Sequence, residues 1–475
     1  MKHLKSLCFL LCIGGLVACG GSNKSKKGLT PVAAGAEAPP SGGAKKLDRE
    51  VSVKASKAFD GVVKSYGVES KKGWTPASCS SMANRFKELV KSYPKLIEAR
   101  FNAGVSYQNC NMSKEAEGEY KKALKLNPGH APSLSNMGEI YFKGGNEAVA
   151  KQYWEKAVAS DVQIVAARNN LASLMIRDIR KSGSITPEKE RAVKGHLSRA
   201  LAVDNDNVEA YVLYSLLYME GSKKNKSRLT LSGLLLEKAS KLDGNYPPLH
   251  NALGLLDLKK DNVPKGLASF RRAVSLDPNF VEARMNVGNI VLDFRKYGEA
   301  KLEFEAVLKK QPNNYDAHIG LGVAKRGLKD LNGAEASYNA AKKIDSSRAE
   351  AYFNLGVLYQ DFRASVEDQK IAKKAYLTAK GHFKSAASKG NSSVQKESQE
   401  NIKGCDKNIK SIEEFEKFQQ QADYDAPENK PQPVAENAPV EDIDQAQKND
   451  VGSSQAEGEP KAELSEEPPT DINTL

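Results

Sequence analysis

The chain has 475 residues, 27% of them charged and 40% hydrophobic, with a mean hydropathy of −0.54. These values exclude a polytopic membrane protein, and six cysteines are too few for a disulfide-built scaffold. A length of roughly three ordinary domains and a formal net charge of +12 leave room for a multidomain protein with an anionic partner.

The N-terminus carries Lys2, His3 and Lys5, then an apolar run from Leu7 to Ala18. A basic start and an apolar stretch of this length predict a secretory signal over 1–18, too short to cross a bilayer as a helix. The run closes Leu16-Val17-Ala18-Cys19-Gly20, which resembles the bacterial lipobox. That resemblance implies cleavage before Cys19 and lipidation of its sulfur; an ordinary signal with a chance cysteine is the alternative. Buried acyl chains contribute about 0.8 kcal/mol per CH2, so a multiply acylated Cys19 is a stable membrane anchor. Gly20 stands where Asp retains enterobacterial lipoproteins in the inner membrane, so the expected location is the outer membrane, on its periplasmic face. Residues 19–46, rich in Gly, Ser, Ala, Pro and Lys, read as a flexible basic tether, with Lys24, Lys26 and Lys27 beside the headgroups.

The middle of the chain repeats itself. With Ile97 as position 1, Ala103, Gly104, Tyr107, Ala116, Tyr120, Ala123 and Pro128 occupy positions 7, 8, 11, 20, 24, 27 and 32. Met137-Gly138, Tyr141, Ala150, Trp154 and Ala157 keep the same phase. So do Gly254 with Phe270, Gly288 with Phe304, and Gly322 with Tyr338; a last unit opens Leu355-Gly356. Gly104 and Gly138 stand 34 apart, as do Gly254, Gly288, Gly322 and Gly356. This pattern resembles the tetratricopeptide repeat, a helix–turn–helix unit that stacks into a solenoid. Small residues at positions 8 and 20 let the two helices approach, the aromatic at 24 fills the space between them and the next unit, and Pro at 32 ends the second helix.

The expected fold is therefore all-α: a superhelical solenoid of about eight repeats over 97–393. Keeping the phase requires nine inserted residues in the unit from Val165, five in the unit from Val208 and eleven before Ala379. All three fall between the first and second helix of a unit, which places them on one edge. Upstream, Met82, Phe86, Leu89 and Pro94 hold the phase of a second helix, and 47–66 supplies its partner, so 47–96 reads as a degenerate N-terminal unit. Downstream, 394–421 reads as a polar capping helix that carries Ile402, Ile409, Ile412 and Phe415. Residues 422–475 contain seven Pro, fourteen Asp or Glu and three Lys, an acidic tail expected to be disordered.

In this family the first helix of each unit lines the concave face. Position 6 reads Asn102, Asn136, Asn170, Asn286 and Asn354, amides able to bond the backbone of a bound peptide. The alternative is that Asn is merely common there. The Lys, Arg and Asn set with which chaperone-binding members clamp a terminal carboxylate is not found, so acidic C-terminal tails are not expected as groove ligands. On the inserted edge, Arg177, Arg180, Lys181, Lys223, Lys224, Lys226 and Arg228 form a candidate docking patch for an acidic partner, or else a solvated loop. Cys79 opens the second helix before the first full unit and Cys110 ends that unit's first helix, a possible disulfide in an oxidising compartment, which leaves Cys405 single.

Catalysis finds no support: the histidines are scattered, His250 and His318 read as packing residues, and no phosphate loop, paired-cysteine metal spacing or serine elbow occurs. Neither cofactor, metal nor small-molecule substrate is expected. The reading is a lipid-anchored scaffold that binds envelope proteins. Its architecture resembles an outer-membrane lipoprotein of the myxobacterial gliding machinery, which implies a part in surface motility. Pilus secretin lipoproteins and activators of peptidoglycan synthases share the combination and remain alternatives. The net charge divides into +6 over 1–46, +17 over 47–421 and −11 over 422–475. The tail could therefore fold back on the basic edge, and nucleic acid is excluded by compartment rather than by charge.

Overall fold

The computed structural model describes residues 49–223 and 225–425. The predicted signal, Cys19, the tether, Lys224 and the tail beyond 425 lie outside them. The chain falls into two compact units, one reaching Glu413 and one beginning at Glu414. Among the described residues the regular structure is nineteen α-helices and one π-turn.

Helices α1 (Arg49–Lys72) and α2 (Pro76–Ser92) precede eight helix pairs. These are α3 (Ile97–Gln108) with α4 (Ser113–Leu126), α5 (Ala131–Lys143) with α6 (Glu147–Ser160), and α7 (Val165–Ser182) with α8 (Pro187–Val203). Next come α9 (Val208–Glu220) with α10 (Ser227–Leu242), α11 (Pro247–Lys259) with α12 (Val263–Leu276), and α13 (Val281–Asp293) with α14 (Tyr297–Lys310). The last two are α15 (Tyr315–Gly327) with α16 (Leu331–Ile344), and α17 (Ala349–Leu358), extended by the π-turn Tyr359–Arg363, with α18 (Gln369–Lys389). A 34-residue helix, α19 (Ser392–Asp425), follows.

The second helix of each pair buries a narrow stripe at i, i+4 and i+7, which is one face of an α-helix. In α4 it is Ala116, Tyr120 and Ala123; in α6 Ala150, Trp154 and Ala157; in α16 Ala334, Tyr338 and Ala341. The first helix buries most of its length, because it packs on its own partner, on the preceding second helix and on neighbouring first helices. The first helices therefore form the inner layer. A continuous apolar core runs through them from Ala172 to Leu358.

The closest approach within a unit is between glycine at position 8 and the ring at position 24. A Cβ added to Gly104, Gly138, Gly254, Gly288, Gly322 or Gly356 would lie under 3.0 Å from Tyr120, Trp154, Phe270, Phe304, Tyr338 or Phe383 respectively. The Phe304 ring is also closed from the next unit by Gly320, which explains why position 6 is not Asn there. Two units break the rule together. Position 8 is Ala172 in one and Ser215 in the other, and position 24 shrinks to Leu197 and Leu236, all four buried. Volume lost from the ring makes room for the added side chain.

Turns use a second code. The turn inside most units passes through the left-handed region at position 15: Asn111 (φ 57°), Gly145 (83°), Asp261 (60°), Arg295 (58°) and Lys329 (64°). In the turn between units the residue after the second helix caps the backbone two residues on, as Asp161 Oδ1 does for Gln163 N at 2.8 Å and Asp277 Oδ1 for Asn279 N at 2.9 Å. Position 4 then reaches back to a carbonyl six residues earlier. His250 meets the Gly244 carbonyl and His318 the Pro312 carbonyl, each at 2.8 Å; Arg284 meets the Pro278 carbonyl at 2.7 Å and Tyr211 the Asn205 carbonyl at 3.0 Å. The two histidines expected to be packing residues thus tie turns.

The inserted residues are mostly helix rather than loop. Helix α7 has 18 residues and α8 has 17, against 13 and 14 in α5 and α6. Helix α18 reaches 21 residues. At the N-terminus α1 continues to Lys72, past the predicted 47–66, and stops before Gly73 at φ 91°. Thr75 and Ser78 form a capping box that starts α2, with Pro76 at its first turn. At the other end, Val394, Ile402 and Cys405 of α19 cover Phe383 and Ala386.

Gly138→Ala sets the ordinary helix gain of about 1 kcal/mol against a methyl forced into the Trp154 ring. Overpacking of about 1–3 kcal/mol wins, so urea unfolding should show a net loss. Lys329→Gly relieves a left-handed lysine and should gain about 1 kcal/mol in the same assay. His130 accepts at Nδ1 from Ser133 N, capping α5, and burial pushes its pKa from 6.5 down to about 4. The unfolded chain then binds a proton that the folded chain refuses. Stability is full above pH 6.5 and falls as pH drops toward 4, by about 2 kcal/mol at pH 5. His130→Asn should flatten that part of a melting-temperature-against-pH curve.

Candidate functional site

The inner face is lined by positions 2, 5, 6, 9, 12 and 13 of the first helices. The predicted file of amides lies along it, but most of it is already used. Asn136 Nδ2 donates to the Tyr120 hydroxyl at 2.9 Å, and Asn286 Nδ2 to Asn251 Oδ1 at 2.9 Å. Asn354 Nδ2 donates to the Glu350 carbonyl at 2.9 Å, and its oxygen faces Arg326 at 3.5 Å. Asn102 is fully buried and Asn170 half-buried. A buried amide needs a partner, and neighbouring helices supply it. The expectation of a row of free amides is corrected accordingly: Asn136, Asn286 and Asn354 tie the array together.

The polar group that does stand out is one the position-6 pattern passes over. Asn169, at position 5 of its unit, is 1% exposed. Its Nδ2 donates to Asn207 Oδ1 at 3.0 Å and to Glu209 Oε2 at 3.1 Å. Asn207 caps α9 through Ala210 N at 2.8 Å, which fixes its oxygen. Glu209 keeps partial contact with solvent but is surrounded by protein, and burial raises its carboxyl pKa. The Asn169 bond opposes that rise and the charge of Glu139 adds to it. The same carboxylate helps burial hold the Tyr246 hydroxyl well above its usual range. These groups come from α5, α7, α9 and the start of α11, so only stacking brings them together. In sequence the signal was limited to an acid at position 2.

The seven cations of the inserted edge separate into two sets. Arg177 is buried, pairs with Glu147 of the preceding unit and lies 5.2 Å from the Phe142 ring centre. Arg180 reaches Glu220 of the following unit at 2.7 Å. Arg228 reaches back to Glu190 at 3.1 Å, donates to the carbonyls of Tyr218 (3.1 Å) and Leu217 (3.4 Å), and stacks on Tyr218. The expectation that these three belong to a docking patch is corrected. A guanidinium taken largely out of water must be paired, and the planar fork satisfies carboxylate and carbonyls at once. Lys181, Lys223 and Lys226 remain exposed. Cys79 and Cys110 are joined as a disulfide with Cα atoms 6.3 Å apart, fastening α2 to the turn after α3. Cys405 is buried, its thiol raised to about 11, and donates to Gln360 Oε1 at 3.3 Å. Among the described residues no three His, Cys, Asp or Glu side chains gather to hold a metal, and no helix is long and apolar enough to cross a membrane.

The family model of the tetratricopeptide repeat matches residues 97–130 and 288–349. Those residues are tetratricopeptide repeats, and the all-helical array has the fold of a tetratricopeptide-repeat solenoid. Tetratricopeptide repeat protein 5 of Bos taurus is 29% identical over 179 residues, 36% of this chain and 40% of that protein, so the chain spans less than half of this relative. Two crystal structures are similar in fold. A thermophilic tetratricopeptide repeat protein from Thermus thermophilus is 20% identical with a TM-score of 0.35, covering 41% of this chain and 98% of that one. The Cut9–Hcn1 hetero-tetramer structure is 14% identical with a TM-score of 0.46, covering 65% and 55%. Tetratricopeptide repeats generally mediate protein–protein interaction, and the inner face of this array is the surface such repeats offer.

Two substitutions should separate the edge cations. Arg228→Ala leaves Glu190 short of a partner inside an interface and should cost about 2–3 kcal/mol in urea unfolding. Lys223→Glu with Lys226→Glu should stay within about 0.5 kcal/mol of the parent.

Proposed function

We propose that this chain is a lipid-anchored, non-catalytic scaffold. It stands on the periplasmic face of the outer membrane and holds envelope proteins along the inner face of its repeats. The observation that carries the reading is the division of the array. The outer helices bury only a stripe, whereas the inner helices are buried along most of their length and form one layer across eight units. A long partner segment can be held by many small contacts on such a surface. Three further points support the location: the lipobox-like Leu16-Val17-Ala18-Cys19, the basic tether behind it, and the Cys79–Cys110 disulfide, which suits an oxidising compartment. The resemblance of the whole arrangement to a gliding lipoprotein supports a motility machinery as the complex assembled.

Cys19→Ala should move the protein from the membrane fraction to the soluble periplasm and lower its crosslinked yield of envelope partners. A deletion strain should lose surface spreading while keeping normal cell-wall synthesis and shape. Retention of the Cys19→Ala protein in the membrane, with full function, would overturn the anchor. Altered wall synthesis with intact motility would point instead to regulation of a peptidoglycan enzyme.

A further inference from the structure

We infer that the inner face of the second, third and fourth repeats holds a site for a cationic side chain, a lysine or arginine presented by an extended segment of a partner protein. Asn169 and Glu209 are the residues that receive it. This names the partner chemistry of the scaffold reading above and rests on that reading.

The argument is an account of donors and acceptors. Asn169 is buried, and both hydrogens of its amide nitrogen are spent, on Asn207 and on Glu209. Its Oδ1 is buried and has no donor. The Asn207 oxygen already takes a backbone amide and the Asn169 hydrogen. Among the described residues no basic side chain is paired with Glu209. The acid whose charge acts on Glu209, Glu139, is engaged by Lys143 at 2.5 Å and repels Glu209 rather than neutralising it. The cluster is thus rich in acceptors, and its carboxylate at Glu209 has no basic side chain beside it among the described residues.

A carboxylate held among protein atoms without a cation is destabilising, and so is a buried carbonyl oxygen without a donor. A water molecule meets the second need but not the first. Lysine brings three donors and arginine five, with the charge, and neither brings an acceptor. An acidic side chain would leave the oxygen unmet and add repulsion, and a neutral donor would satisfy the oxygen but leave the carboxylate without a counter-charge. Glu209 is the member of the cluster that keeps partial exposure, beside the mostly buried Tyr246, and so is the point at which such a group is received.

The test uses the full chain purified in detergent and fluorescence anisotropy. The probe is a fluorescein-labelled Gly/Ser peptide with a central lysine, compared with matched norleucine and glutamate peptides. The lysine peptide should bind about tenfold tighter than the norleucine peptide, the range expected of a charge-assisted hydrogen bond. Glu209→Gln should abolish that preference, Asn169→Asp should increase it, and Glu155→Gln on the exposed outer helix should leave it unchanged. Equal binding of lysine and norleucine peptides, or a preference that survives Glu209→Gln, overturns the site. If Glu209→Gln fails to fold by circular dichroism, Asn169→Asp decides, and an unchanged or weaker preference overturns it. Crosslinked partners retained by Glu209→Gln would refute this site alone, whereas no partners for the parent chain would refute the scaffold reading.

Discussion

The contact on which the array depends is the one between position 8 of the inner helix and the ring at position 24 of the outer helix. It sets how closely the two helices of a unit approach, and that spacing sets where the next unit lands. Gly138 against Trp154 and Gly322 against Tyr338 leave no room for a methyl. Where the ring is replaced by Leu197 or Leu236, the glycine becomes Ala172 or Ser215, so the two helices remain in register with their neighbours. Interiors packed to crystal density tolerate compensated exchanges of volume better than single ones. The Phe304 ring, enclosed by Gly288 and Gly320, shows the same contact acting between units as well as within one.

Stacking at that spacing leaves inner-face polar groups with neighbours at hydrogen-bonding distance, and the array uses them. Asn136 meets Tyr120, Asn286 meets Asn251, and Asn354 returns to its own helix. The edge arginines do the same with charge. Arg177, Arg180 and Arg228 each reach a carboxylate of an adjacent unit. The third and fourth units, which carry two of the three insertions, therefore hold each other and a neighbour through charged ties, and these are the units that lack the glycine–aromatic contact. Against this economy the cluster at Asn169 and Glu209 differs in kind, because its acceptors outnumber the donors the fold supplies.

A scaffold needs a rigid lining and a small number of places where binding changes the balance of unmet groups. Most of the inner face meets the first need through paired amides and apolar side chains. The cluster between the second and fourth repeats meets the second, since binding there replaces a cost already present in the free chain. Helix α1, whose Phe59 and Tyr66 pack against Phe86, and the helix that covers Phe383 close the apolar ends of the stack, which a linear array must do to keep its terminal faces from solvent.

The sequence by itself determined the repeat, its phase and its eight units, because a period of 34 with glycine, alanine and an aromatic at constant offsets has few physical solutions other than stacked helix pairs. The helix expected over 47–66 runs from Arg49 to Lys72, and the residues expected as insertions lengthen α7, α8 and α18. The sequence did not reveal the left-handed residue at position 15, filled by Lys329 or Arg295 as readily as by Gly145, since the turn imposes that conformation whatever the side chain. Nor did it show that position 4 ties the turn between units, because His250, Arg284 and Tyr211 share a donor and not a residue type. The fate of the polar residues was decided by tertiary structure alone. Whether Asn136 is free or bound, and whether Arg228 is surface or interface, depends on which acceptor the next unit places within about 3 Å. Asn169 and Glu209 stand 40 residues apart and meet only because one inner helix lies against the next.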